Sequence, residues 1–129
     1  MAHLLHFQLL PTEGYGIPWV QSLGAELEVY DIDARSDDVT LHYARLFLEQ
    51  AEHLWVTIAA DGSSDLSKVQ AVLRPLARRR PPSLQIILPE ALPGLEVLFR
   101  ALQPQEVHHL PETEAWPACI RRGLEAGTQ

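Results

Sequence analysis

Residues 54–61, Leu-Trp-Val-Thr-Ile-Ala-Ala-Asp, make an apolar run without polar alternation that ends at a carboxylate and turns through Gly62, Ser63 and Ser64. Such a run, rich in β-branched and aromatic residues, predicts a strand buried on both faces, and so the middle of a sheet. Helical patterns flank it at 36–53 and 64–78. Strand, helix, strand in that rhythm calls for parallel strands with helices on both faces.

The other apolar stretches extend the pattern. Residues 3–10 predict a first strand that is mostly covered. Residues 26–32 predict a second, with Leu27 and Val29 on one face and Glu28, Tyr30 and Ile32 on the other; charge within a strand marks a sheet edge. Residues 84–88 and the short, His-rich stretch 107–110 predict strands four and five. A short helix is expected from Pro18 to near Gly24. Ser36 is expected to open the helix that follows strand two, with Asp37 and Asp38 in its first turn. Ser64 is expected to cap a helix carrying Leu66, Val69, Leu73 and Leu76, bent by Pro75. Leu95, Leu98, Phe99 and Leu102 give another helix its apolar side, and a terminal helix from about Thr113 holds Trp116, Cys119, Ile120 and Leu124.

With strands two and five as edges, the elements fit a single α/β domain over the 129 residues, a three-layer αβα arrangement of five parallel strands in the order 2-1-3-4-5. This pattern resembles flavodoxin-like domains, a fold shared by proteins of unrelated function.

Composition narrows the partners. The net charge of -7 argues against nucleic acid, whose binding needs clustered cations, and the basic triplet Arg78-Arg79-Arg80 is placed to meet the carbonyls at the end of a helix. Cys119 is the single cysteine, so no intrachain disulfide forms and the cytoplasm is the expected compartment. The amino-terminal apolar run is broken by His6 and Gln8, unlike a signal peptide, and no stretch approaches the about eighteen apolar residues of a membrane span.

In a sheet of this order, ligands bind beyond the carboxyl ends of the strands, where the winding reverses. That rule selects Thr12 and Glu13 after strand one, Asp33 after strand two, Asp61, Ser63 and Ser64 after strand three, and Glu90 after strand four. Together they form an acidic crest suited to a polar metabolite, a nucleotide or a divalent cation, unless capping and turn formation occupy them. The aspartate ending the central strand is similar in place to the phosphoacceptor of response-regulator receiver domains. The rest of that site is different: Thr12-Glu13 stands for an acidic pair, Pro89-Glu90 for a hydroxyl residue and Pro111 for a lysine. Gly14 and Gly16 lack the G-x-G-x-x-G continuation, since position 19 is Trp, and no histidine or cysteine spacing matches a metal site. No cofactor is implied, and Cys119 beside Ile120 reads as a buried structural thiol.

The helix over 36–53 carries more apolar surface than one sheet needs. Val39, Tyr43, Leu46 and Phe47 fall on one flank, Leu41, Ala44, Leu48 and Ala51 on the other, giving an arc about twice the ~100° of an ordinary surface helix. The sequence therefore favours a noncatalytic interaction or regulatory module, with Val39, Tyr43 and Leu46 facing a protein partner or a second copy in a homodimer. The alternative is a small enzyme or sensor that uses the crest.

Overall fold

A computed structural model describes residues 2–10, 23 and 27–127. Its framework is five parallel strands, β1 (Ala2–Gln8), β2 (Leu27–Asp33), β3 (His53–Ala59), β4 (Ser83–Leu88) and β5 (Glu106–His109), hydrogen-bonded in the order β2-β1-β3-β4-β5. The apolar run of 54–61 thus supplies the central strand. Glu28 lies on an edge strand paired only with β1, where its carboxylate stays half in water.

Side chains alternate across each strand, so the register divides the sheet into two faces. One face presents Leu5, Phe7, Ile32, Leu54, Val56, Ile58, Leu84, Ile86 and Leu88. It is covered by α1 (Asp38–Glu49), by α2 (Ser67–Leu73) with the 3-10 turn that continues it (Arg74–Ala77), and by α3 (Glu96–Leu102). The opposite face presents Ala2, Leu4, Leu27, Trp55, Ala59 and Ile87, against which α4 (Trp116–Gly127) packs Trp116, Cys119 and Ile120. The connections from β2 to β3, β3 to β4 and β4 to β5 each carry a helix, and α4 follows β5, giving the three-layer arrangement.

Several predicted boundaries shift for local reasons. The helix expected at 36–53 is α1, capped by Asp37 rather than Ser36: Asp37 Oδ1 accepts from the Thr40 amide at 2.9 Å, while the Ser36 hydroxyl belongs to the preceding turn. It ends at Glu49, and His53, expected inside it, begins β3. Ser64 does not cap a helix. Its hydroxyl is engaged with Asp61, and α2 begins at Ser67 with Leu66 at its cap position and no side-chain cap. Pro75 acts as a ring without an N–H should: α2 stops at Leu73 and the chain continues as a 3-10 turn. The short helix expected after Pro18 lies outside the described residues.

The α4 layer rests on a close approach. A Cβ on Gly123 would overlap the six-membered ring of Trp55, so only glycine lets α4 lie flat on that indole. Gly123→Ala is expected to lower stability by roughly 1–3 kcal/mol, the overpacking cost exceeding alanine's gain in helix propensity. Urea unfolding followed by tryptophan fluorescence checks this; an unchanged or raised midpoint would contradict the packing.

Candidate functional site

The crest beyond the strand ends is built from two copies of one turn. At the end of β2, the Asp33 amide donates to Ser36 Oγ at 3.0 Å, Asp33 Oδ1 accepts from the Arg35 amide at 2.8 Å and from the Ser36 hydroxyl at 3.3 Å, and the Ser36 amide donates to the Asp33 carbonyl at 3.2 Å. After β3 the same bonds recur. The Asp61 amide donates to Ser64 Oγ at 3.0 Å, and Asp61 Oδ1 accepts from the Ser63 amide at 2.9 Å and the Ser64 hydroxyl at 3.2 Å. The Ser64 amide donates to the Asp61 carbonyl at 3.1 Å, and the Ser63 hydroxyl adds a bond to Oδ1 at 2.6 Å. These are the side-chain turns that aspartate and serine form with nearby backbone.

The consequence is electrostatic. Donation from the Ser63 hydroxyl and amide, followed by Ser64, holds the Asp61 carboxyl below the usual carboxylate range, and the Thr40 bonds do the same for Asp37. A group kept ionised by its own loop is poorly matched to proton transfer at neutral pH. Asp33 ends β2 and Asp61 lies two residues beyond β3, strands with β1 between them, and each carboxylate is bonded within its own turn. Lys68, which the sequence did not single out, donates from Nζ to the Ala34 carbonyl and ties α2 to the β2 turn. Beside it lies a dent of ≈ 70 Å³ lined by Leu9, Ala34, Asp65 and Lys68, well below the few hundred Å³ of small-molecule sites. Glu90 is exposed, and Thr12 and Glu13 lie outside the described residues. Among the described residues, no group of three or more His, Cys, Asp or Glu side chains is placed to hold a metal ion.

A second polar group lies inside the layer under α4, where sequence reasoning did not look. His6 is fully buried in β1. Its Nδ1 lies 2.7 Å from Thr57 Oγ1 on β3, and its Nε2 lies 2.8 Å from Gln8 Oε1. Since Gln8 Nε2 donates to the Leu10 carbonyl at 2.9 Å, Gln8 turns its acceptor oxygen to the ring; His6 therefore carries its proton on Nε2 and accepts from the Thr57 hydroxyl at Nδ1. Burial pushes the His6 pKa down, only partly opposed by the Gln8 bond and the Asp31 charge, so the ring is neutral. Along the same face, His108 Nε2 lies 3.0 Å from Gln85 Oε1, and its ring stacks on Trp55. Cys119 is buried in this layer, and desolvation pushes its thiol up, away from the thiolate a nucleophile needs.

The predicted interface residues lie on the side of α1 away from the sheet. Leu41, Ala44 and Leu48 point into the core, whereas Val39, Tyr43 and Leu46 are 62%, 56% and 39% exposed. Phe47, expected with that flank, is instead half-buried, with ring centroids 5.6 Å from Tyr30 and 5.0 Å from His3. No known protein-family model matches the chain, and comparison with curated proteins gives no significant match.

The buried ring makes a pH dependence expected. The unfolded chain binds a proton at His6 near pH 6.5, while the folded chain resists protonation until lower pH. His6 therefore contributes its full stability above about 6.5 and loses it as the pH falls through that value towards the depressed folded pKa. The urea midpoint is expected to fall between about pH 7.5 and 5.5, and less steeply in His6→Gln; equal slopes in the two proteins would contradict a neutral buried imidazole.

Proposed function

We propose that this protein is a noncatalytic interaction module of flavodoxin-like class that pairs with a second copy of itself through α1, acting in the cytoplasm. The observation that carries this reading is the outward stripe of Val39, Tyr43 and Leu46 on a helix whose core contacts are already made by Leu41, Ala44 and Leu48. Large apolar side chains at successive turns of one face are the composition of an association surface. The stripe is self-complementary: antiparallel pairing about a two-fold axis brings Val39 of each copy to Leu46 of the other, with the two Tyr43 rings near the axis. Two-fold pairing is also the commonest soluble assembly.

The crest supports this reading from the other direction. Its serine hydroxyls and one carboxylate oxygen of each of Asp33 and Asp61 are engaged in turns, its Asp61 carboxyl is held low, and the dent among its described residues is small. An enzyme or sensor working there would instead call for a deeper pocket and a carboxyl poised near neutrality.

Three side chains make a patch smaller than the about 800 Å² per partner of a stable complex, so the pairing is expected to be weak and concentration-dependent. Light scattering across a wide concentration range is expected to show a monomer–dimer equilibrium. The double variant Tyr43→Asp, Leu46→Asp is expected to abolish it while leaving circular dichroism unchanged, since neither side chain belongs to the buried core. A wild-type chain that stays monomeric at high concentration would overturn the proposal.

A further inference from the structure

At the end of the sheet opposite the crest, a cavity of ≈ 330 Å³ opens between the last turns of α1, the 3-10 turn after α2, and the chain entering β4. Its floor includes Leu48, Val72 and Leu76, which are buried core side chains, and its rim carries Arg45, Arg79, Arg80 and Glu49. The volume lies within the range of small-molecule sites. Apolar walls with a few convergent charged groups are the composition such sites share.

The arginines are short of anions. In a chain of net charge -7, Arg45, Arg79 and Arg80 form no ion pair with an acidic side chain among the described residues. Arg45 Nη2 donates to the Ala71 carbonyl at 3.3 Å, so this guanidinium, from outside the basic triplet, meets a helix carbonyl. Arg80 donates to the Gln103 side-chain oxygen. Neither Arg79 nor Arg80 donates to a helix carbonyl among the described residues, so helix-end capping does not account for them.

We propose that this cavity binds an anionic amphiphile, a carboxylate on a short unbranched apolar body. The body lies on Leu48, Val72 and Leu76, and the carboxylate meets Arg79, with Arg45 and Arg80 beside it. A guanidinium presents a planar fork that bonds both carboxylate oxygens, a geometry lysine lacks. Glu49 on the rim offsets one of the three positive charges and disfavours a dianion. The cavity volume is at the lower end of the small-molecule range, which favours a compact ligand of about the size of octanoate. The site stands apart from the outward stripe of α1 and does not depend on pairing.

Octanoate, below its micellar concentration, is the probe. In two-dimensional NMR of the full chain, it is expected to shift the signals of Leu48, Val72 and Leu76. By calorimetry, it should bind at least tenfold more tightly than octanol, which lacks the charge, or acetate, which lacks the body. Arg79→Gln is expected to weaken binding tenfold or more, Arg79→Lys to fall between, and added salt to weaken the wild type. Arg79 is exposed, so these variants keep the fold. The proposal is overturned if octanoate leaves the cavity signals unmoved, if octanol binds as tightly, or if Arg79→Gln binds like the wild type.

Discussion

A strand without polar alternation has nowhere to place a solvent face, and β3 imposes that constraint on the whole molecule. Leu54, Val56 and Ile58 on one side and Trp55, Thr57 and Ala59 on the other are all buried, so a single layer of helices cannot satisfy the strand. One layer is α1, α2 and α3; the other includes α4, seated on Trp55 at Gly123. β3 pairs in parallel with both β1 and β4, and the connection from β3 to β4 carries α2 as a parallel crossover requires.

The two layers differ in chemistry. Under α1, α2 and α3 the packing is mostly aliphatic, with Phe7 fully buried among it and the Phe47, Tyr30 and His3 rings at its edge beside β2. Under α4, His6, Thr57 and Gln8 form a connected polar set whose bonds fix one tautomer of the imidazole. Such a set tolerates little displacement, since a lost partner leaves a buried polar atom unsatisfied. The layer with the polar interior is thus the one least free to slide.

Strand order, the central and edge strands, and the residue faces of β2 were all legible from apolar patterning, because each depends on burial summed over a whole element. What depended on a single hydrogen bond was not. Ser36 and Ser64 are good cap residues by type, yet each is claimed by the aspartate three residues before it, and nothing in composition ranks an Asp-x-x-Ser turn above a helix cap. The pairing of His6 with Thr57 joins residues 51 apart in sequence and becomes visible only once β1 and β3 are in register. At the candidate sites, the exposed stripe of α1 could be placed by counting at about 100° per residue. The arginine-rimmed cavity could not, because it is formed by α1 and the turn after α2 at an end of the sheet that strand-end rules pass over.

α1 is the element on which these features meet. Leu41, Ala44 and Leu48 face the core, Arg45 and Glu49 line the cavity, and Val39, Tyr43 and Leu46 face away from the protein's own layers. The proposed two-fold pairing through that outward stripe would put Tyr43 of one copy beside Tyr43 of the other, which is directly testable by disulfide trapping. Cys119 is buried and does not compete. Under mild oxidation, Tyr43→Cys is expected to yield a covalent dimer, while Val97→Cys on α3, a site 76% exposed in the native chain, stays monomeric. Equal cross-linking at the two positions, or none at Tyr43→Cys, would contradict association through α1.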